Sequence, residues 1–141
     1  MCFLSVIWLG AVAQPKNDPN NRFSPEEFKA RLEQFITRTA CLTPQEAAKF
    51  FPVYSEMTTK QRALHDEMRN YKRIKPVTEA ECKRYVEQMD KLDIEMKQIQ
   101  RRYHLKFMQM LPAGKVYDII KAEDKFYRQA FKNMAEKRKR K

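Results

Sequence analysis

Glycine is scarce in this chain: only two of the 141 residues are glycine, Gly10 and Gly114. Tight β-hairpin turns and phosphate-binding loops depend on glycine more than on any other residue. The scarcity therefore argues against hairpin-rich β structure and against a glycine-rich phosphate loop. The rest of the chain is dominated by Met, Leu, Glu, Lys, Gln and Arg, which favour helices. The sequence predicts an all-α protein.

Residues 1–13 consist of an apolar run that ends in small residues, among them Ala11 and Ala13. This pattern predicts a signal peptide cut after Ala13. The run is too short to cross a bilayer as a helix, which takes about 20 apolar residues. We therefore expect an exported, periplasmic protein without a transmembrane segment, in which residues 14–23 form a flexible leader. Since no basic residue precedes the run, an apolar N-terminus on a cytosolic protein stays open as the alternative.

The formal net charge is +11, and residues 137–141 are all basic. Such a tail can bind nucleic acid or anionic lipid, although it is more often a solvated end. A nucleic-acid-binding protein, with aromatic side chains stacked on bases, is thus the alternative from a different functional class. Because most Phe and Tyr residues fall on inner helix stripes and no known binding motif occurs, we expect no specific nucleic acid partner.

Helix-start signals divide residues 24–136 into a domain of four helices. Ser24 is followed by proline and glutamate, and Thr43 and Thr78 each have glutamate three residues later, which predicts N-caps with capping boxes. The fourth helix follows a proline-containing junction and is predicted to end near Ala135.

Apolar stripes predict how these helices pack. The second and third helices should each span about 45 Å, and the turn at Pro76 makes them an antiparallel hairpin. Pro52 lies inside the second stripe and should bend that helix, so we expect an elongated, curved molecule. The third helix has apolar residues at steps of three and four, the spacing of a helix packed along a long partner. That stripe comprises Cys82, Tyr85, Val86, Met89, Leu92, Met96, Ile99, Tyr103, Phe107 and Met110, and the fourth helix has Val116, Ile119, Ala122, Phe126 and Met134.

Two short motifs precede the second and fourth helices. One reads LTPQEA and is followed by FFPVY; the other reads LPAGK. They resemble the motif of the Spy/CpxP-like LTXXQ family of exported bacterial helical proteins. A leucine, threonine and proline in this order start a helix with an apolar residue at the hydrophobic-staple position, so the motif is architectural. The motif residues are Leu42, Thr43, Pro44 and Glu46 in the first copy and Leu111, Pro112 and Lys115 in the second, with Glu46 and Lys115 in place of glutamine.

The resemblance implies a function in protein binding. The family includes an ATP-independent periplasmic chaperone shaped as a cradle-like dimer, an accessory inhibitor of an envelope-stress sensor, and metal-responsive sensors. We therefore expect a chaperone for unfolded or partly folded envelope proteins. The alternative is an accessory regulator that binds the outer domain of a stress-responsive or metal-responsive sensor. A homodimer is expected in either case, and no cofactor.

The sequence does not predict catalysis or metal binding. After residue 13 the serines are Ser24, which is a helix cap, and Ser55. Folding the hairpin at its turn places His65 beside roughly residue 87, about 25 Å from His104, so a catalytic triad is not expected. Neither histidine has His, Glu or Asp three or four residues further on, so no metal site is expected.

Cys41 and Cys82 would face an oxidising compartment if the protein is exported. They belong to opposite ends of the predicted hairpin, whereas a disulfide needs Cα atoms within about 7 Å. We expect no intramolecular disulfide. Free thiols and a bond between subunits stay open.

Apolar residues also occur on the outer side of the third helix. Ile94 and Leu105 fall nearly opposite the centre of its stripe, and Met108 lies part-way round. They are interpreted as a surface that grips flexible polypeptides, as a dimer interface, or as the scattered apolar residues that any surface has. The candidate surface comprises Ile94, Lys97, Gln98, Arg101, Arg102, Leu105 and Met108.

Overall fold

The computed structural model describes residues 24–140, and within that range it consists of four α-helices without a β-strand. They are α1 (Pro25–Thr39), α2 (Pro44–Tyr71), α3 (Glu79–Met110) and α4 (Ala113–Lys139). The prediction of an all-α protein with four helices is confirmed. The predicted signal peptide and leader lie outside the described residues.

Side-chain caps start the first three helices where the sequence predicted. The Ser24 hydroxyl accepts the backbone N–H of Glu27 at 3.2 Å. Thr43 and Thr78 each cap their helix in the same way, and the glutamate three residues later accepts the backbone N–H of the capping threonine. These reciprocal bonds satisfy N–H groups that a helix start otherwise leaves unpaired.

The fourth helix begins at the predicted junction but ends later than predicted. Pro112 occupies the N-cap position, where it makes no side-chain hydrogen bond. The helix continues to Lys139, beyond the end expected near Ala135, so that most of the basic run is helical. Basic residues in a last turn are stabilised by the helix dipole, which favours this extension.

Helices α2 and α3 form the predicted antiparallel hairpin. Near its base, the Tyr103 hydroxyl donates to a carboxylate oxygen of Glu56 at 2.5 Å. The core beside this bond is aromatic: the rings of Phe50 and Phe107 lie 4.8 Å apart, and both side chains are fully buried. Large apolar side chains at every three or four residues of both helices therefore bury one another along the hairpin.

Helices α1 and α4 pack on one side of the hairpin and on each other. The ring of Phe126 lies 5.3 Å from that of Phe28 and 5.6 Å from that of Phe35. Lys115, in the first turn of α4, contacts Glu46 in the first turn of α2, and Phe131 lines a cleft together with Arg69. Helix α4 thus runs alongside α2 in the same direction.

The prediction of burial on the inner stripes is wrong for two residues. Val86 on α3 and Met134 on α4 have the angular position of buried residues but are at least half exposed. Both lie beyond the part of the molecule in which α1 and α4 cover the hairpin, so no helix packs on them. Periodicity identifies the side of a helix that can be buried, but burial also requires a neighbour.

Helix α2 continues through Pro52 without interruption, and the proline itself is exposed. Proline cannot donate the backbone hydrogen bond that the carbonyl of Ala48 would otherwise accept. The predicted bend at this point, and the curvature of the molecule, stay predictions.

The link between α1 and α2 is a tight turn. Cys41 has a φ of 50°, which is unusual for a residue other than glycine. This conformation lets the Leu42 N–H donate to the carbonyl of Thr37 at 3.0 Å, which ends α1 and brings the buried Leu42 against the core.

Candidate binding surface on the third helix

The apolar residues of the candidate surface lie on the outer side of α3. Ile94, Leu105 and Met108 expose 58%, 51% and 45% of their surface. The opposite side of the same helix carries the buried stripe that packs on α2. The polar members of the surface are also exposed, and they are Lys97, Gln98, Arg101 and Arg102.

Four of the seven residues meet in one shallow depression on α3. Its volume is about 350 Å³. Ile94 provides the apolar contribution to the lining, and Asp93 adds an acidic group that the sequence prediction did not include. The remaining lining residues are Lys97, Gln98 and Arg101.

Leu105 and Met108 lie outside this depression. Leu105 is on the same side of α3 as Ile94, three turns or about 16 Å along the axis. The surface is therefore a strip along the helix with an apolar group at each end and cations between them. A strip of this kind matches an extended polypeptide better than it matches a compact ligand.

A larger groove runs between α2 and α3 and has a volume of about 850 Å³. Arg102, Gln98 and Ile94 line its α3 side, so the groove adjoins the candidate surface. The α2 side was missed by sequence reasoning, although pairing the two helices through their turn would have brought it opposite α3. It is formed by Lys60, Ala63, Leu64 and Glu67.

Charge is unevenly distributed along this groove. Glu67, Glu87 and Asp90 line the part nearer the hairpin turn, where Lys91 offsets one of the three negative charges, whereas Lys60 and Arg102 line the part nearer the base. The order follows the sequence of α3, where acidic residues precede basic ones. A partner in the groove would therefore meet a negative half and a positive half.

A hydrogen-bonded cluster closes the basic end of the groove. Lys60 lies 3.3 Å from the Glu56 carboxylate, and Lys106 lies 4.6 Å from the centre of the Tyr103 ring. Hydrogen bonds from Tyr103 and then Lys60 lower the pKa of Glu56, and contacts with Tyr103 and then Glu56 raise the pKa of Lys60. These contacts fix the base of the hairpin and hold Lys60 at the basic end of the groove.

The two histidines occupy different environments. His65 is exposed and lines a cleft with Met96 and Gln100, so its predicted position beside residue 87 is wrong. The pairing of α2 with α3 is therefore shifted by several residues from the symmetric fold-back at Pro76 that the prediction assumed. His104 is partly buried, and burial followed by the charge of Lys97 lowers its pKa. Among residues 24–140, no group of three or more His, Cys, Asp and Glu side chains is arranged to hold a metal ion.

One titratable pair lies between α2 and α4. The hydroxyl of Tyr54 is buried and makes no hydrogen bond with the described residues, while the carboxyl of Glu123 faces it. Burial raises the pKa of Glu123, and it also raises the pKa of Tyr54. Both shifts result from the loss of water around a group that would carry charge.

Cys41 and Cys82 are both free thiols. Cys41 lies in the α1–α2 link, beside the start of α4, and Cys82 lies in the first turn of α3 at the other end of the hairpin. The length of α2 separates them, which is about 40 Å at helical rise. A disulfide between subunits stays the open alternative.

The motif residues build helix starts and do not form a separate site. Leu42 and Leu111 are buried in the core. Thr43 caps α2, and Pro44 is its first residue. The remaining motif residues are Glu46, Pro112 and Lys115, of which the first and last form an ion pair.

No protein-family model matches this chain, and neither curated proteins nor solved structures match it. None of the helices between residues 24 and 140 combines the length and apolar character needed to cross a membrane.

Proposed function

We propose that this chain is an exported protein that binds other proteins, most closely an ATP-independent chaperone for unfolded or partly folded envelope proteins. The observation that carries the proposal is the outer side of α3, where Ile94 and Leu105 are exposed beside Lys97 and Arg101. The core of α3 is complete on its other side, so these apolar residues are not needed to hold the hairpin together.

The expected strength of binding fits this function. Full burial of a large apolar side chain contributes about 1.5–3 kcal/mol. Ile94, Leu105 and Met108 are each about half exposed, so covering them contributes about 3 kcal/mol in all. A micromolar complex needs about 8 kcal/mol. One strip is therefore a weak binder that suits transient contact with many clients, and a homodimer with two strips would hold a client more firmly.

The positive charges should increase the rate of association with a client more than they increase the affinity. Between Met96 and Met110 on α3 there are four lysine and arginine residues and no acidic one. Such a surface attracts chains with excess negative charge and raises the association rate, an effect that salt weakens. Binding should therefore become weaker, without being abolished, at high ionic strength.

A second candidate is an accessory regulator that binds the outer domain of an envelope-stress sensor. The groove between α2 and α3 favours it, because Glu67 and Asp90 at one end and Arg102 at the other require a partner of defined charge order. A folded sensor domain can meet such a requirement, whereas unfolded chains of varied sequence do not.

Protein binding is favoured over nucleic acid binding by the position of the large aromatic residues of α2 and α3. Phe50, Tyr54, Tyr103 and Phe107 are buried in the core and are not free to stack on bases. The outer side of α3 offers aliphatic side chains and a methionine instead.

The test is suppression of aggregation of a chemically denatured protein, with wild type compared with a Leu105→Ser, Arg101→Glu double variant. Both side chains are exposed, so helicity should not change. We expect the variant to lose most of the suppression at unchanged mass by light scattering. Conversion of a dimer into monomers would instead assign this face to the dimer interface.

A matched control changes the same kinds of residue elsewhere. Tyr117 is exposed on α4, and the amine of Lys121 lies 5.6 Å from its ring. A Tyr117→Ser, Lys121→Glu variant should suppress aggregation as well as wild type does. Equal activity of all three proteins would show that the outer side of α3 is ordinary surface. Cell fractionation tests export separately, since a cytoplasmic location contradicts that part of the proposal.

A further inference from the structure

The turn between α2 and α3 is strongly basic. Between Met68 and Thr78 there are four basic residues and no acidic one. The turn is ordered by backbone hydrogen bonds, from the Ile74 N–H to the Tyr71 carbonyl at 2.9 Å and from the Arg73 N–H to the Asn70 carbonyl at 3.2 Å. The cations are therefore presented from a defined backbone at the tip of the hairpin.

Two aliphatic side chains project from the same turn. Ile74 exposes 53% of its surface and Val77 exposes 88%. The backbone N–H of Val77 donates to the Glu81 carboxylate at 2.9 Å, which fixes this residue at the edge of the α3 cap. Neither side chain contributes to the core. The tip of the hairpin therefore presents exposed apolar side chains next to basic ones.

The basic end of α4 lies at the same pole of the molecule. Helix α4 runs in the direction of α2, and Phe131 shares a cleft with Arg69, close to the end of α2. Helix α4 then continues about 12 Å to Lys139 at helical rise, in the direction of the hairpin turn. We call these basic residues the basic pole: Lys72, Arg73, Lys75, Lys137, Arg138 and Lys139, all exposed.

We propose that the basic pole binds the surface of an anionic lipid bilayer. The cations would face lipid phosphates, and Ile74 and Val77 would enter the boundary between headgroups and acyl chains. This activity goes beyond the protein-binding function proposed above and uses a different surface.

Lipid fits the basic pole better than nucleic acid does. Ile74 and Val77 have no flat face to stack on bases, and phosphate backbones offer them no apolar environment. A bilayer provides both a negative surface and an apolar layer beneath it. The acidic residues nearest the turn, Glu79 and Glu81, do not cancel its charge, because residues 72–84 contain five basic side chains and only these two acidic ones.

The test is flotation of the full-length chain with two kinds of vesicle, phosphatidylcholine alone and phosphatidylcholine mixed with phosphatidylglycerol. Each basic residue near an anionic surface should strengthen partitioning about fivefold. Reversal of the turn cations in a Lys72→Glu, Arg73→Glu, Lys75→Glu variant should thus reduce partitioning to the mixed vesicles by far more than tenfold. An Ile74→Ser, Val77→Ser variant, with all charges intact, should also partition more weakly.

The matched control reverses three cations elsewhere, as Lys97→Glu, Arg101→Glu, Arg102→Glu on α3. It has the same net charge as the turn variant and should retain most of the binding. All variants carry the same residues 1–23, so any contribution of that segment is common to them. If the two triple variants lose equal amounts of vesicle binding, the loss is explained by net charge alone and the proposal is overturned. Equal binding to both kinds of vesicle would also overturn the proposal. A third contrary result is that a single-stranded oligonucleotide abolishes binding to the mixed vesicles while the Ile74→Ser, Val77→Ser variant binds them normally.

Discussion

Lys115 and Glu46 form an ion pair, with the amine nitrogen 2.5 Å from a carboxylate oxygen. The pair joins the first turn of α4 to the first turn of α2, and the same amine donates to the Cys41 carbonyl at 3.1 Å. These are the two positions at which the LTXXQ-like motifs have glutamate and lysine in place of glutamine. Two departures from one motif thus meet in space and complement each other in charge.

A double-mutant cycle measures this pairing. Glu46→Gln and Lys115→Gln should each lower the Tm, because each leaves the other charge without its partner. The double variant should lose less than the sum of the single losses, since glutamine at position 46 can still complete the capping box with Thr43. Strictly additive changes in Tm would show that the ion pair contributes nothing.

The same pair makes stability depend on pH. The hydrogen bond from Lys115, followed by that from the Thr43 backbone, lowers the pKa of Glu46 below its ordinary value of 4.5. A carboxyl with a lowered pKa stabilises the folded state above the ordinary value, and this contribution is lost as the pH falls through the folded-state pKa. The Tm difference between wild type and Glu46→Gln should therefore disappear in acid.

Glu123 should behave in the opposite way. Burial raises its pKa above 4.5, so the folded protein holds this proton more tightly than the unfolded chain does. Stability is therefore greatest below the ordinary pKa and declines as the pH rises through the window between 4.5 and the raised value. Glu123→Gln should raise the Tm at neutral pH and have little effect at a pH below that window.

An exposed carboxylate provides the control for that prediction. Glu136 lies on the exposed last part of α4, and Glu136→Gln changes the net charge by the same amount. It should leave the Tm almost unchanged at both pH values. A similar rise in both variants would assign the effect to net charge, and no rise in Glu123→Gln would show that the buried carboxylate is stabilised by its surroundings.

Cys41 is predicted to lower stability through its backbone. The left-handed conformation costs a residue with a Cβ atom about 1–2 kcal/mol, and the φ of Cys41 is 50°. Cys41→Gly should therefore raise the free energy of unfolding by about 0.5–1 kcal/mol, since the greater freedom of glycine in the unfolded chain offsets part of the gain. Cys41→Ala removes the thiol but keeps Cβ, so urea unfolding should show no gain for it.

Pro52 offers a test of the predicted bend. Its side chain is exposed, so Pro52→Ala loses little packing, and alanine can donate to the Ala48 carbonyl. We expect the free energy of unfolding to rise by about 1–3 kcal/mol and small-angle scattering to report a straighter molecule. Pro44→Ala is the control, because proline is favoured in the first turn of a helix. An unchanged stability and scattering profile for Pro52→Ala would mean that α2 accommodates the proline without strain.

Local interactions explain which parts of this fold could be read from the sequence. The caps at Ser24, Thr43 and Thr78 involve residues three positions apart, so sequence alone specifies them. The exposure of Val86 could not be predicted in this way, because it depends on how far the helix pair α1 and α4 extends over the hairpin. The ion pair of Glu46 and Lys115 joins residues that are distant in the chain, and no local pattern places them together.

The candidate surface, too, could be predicted only where it depends on local periodicity. The position of Ile94 and Leu105 on the outer side of α3 follows from helical periodicity. The groove beside them depends on the register between α2 and α3, which is set by packing over the whole hairpin. Sequence reasoning therefore found three of the twelve lining residues and missed others such as Ala63.

The contact of Phe126 with Phe28 and Phe35 has a consequence for the order of folding. It joins α1 to α4 across most of the chain, whereas the hairpin joins neighbouring helices through a short turn. Closing the larger loop first would cost more chain entropy, so we expect the hairpin to form early and the two terminal helices to pair late. Because the terminal helices pair last during folding, they should be the first to open in the native state. Backbone amides of α1 should accordingly exchange with solvent deuterium sooner than those at the base of the hairpin.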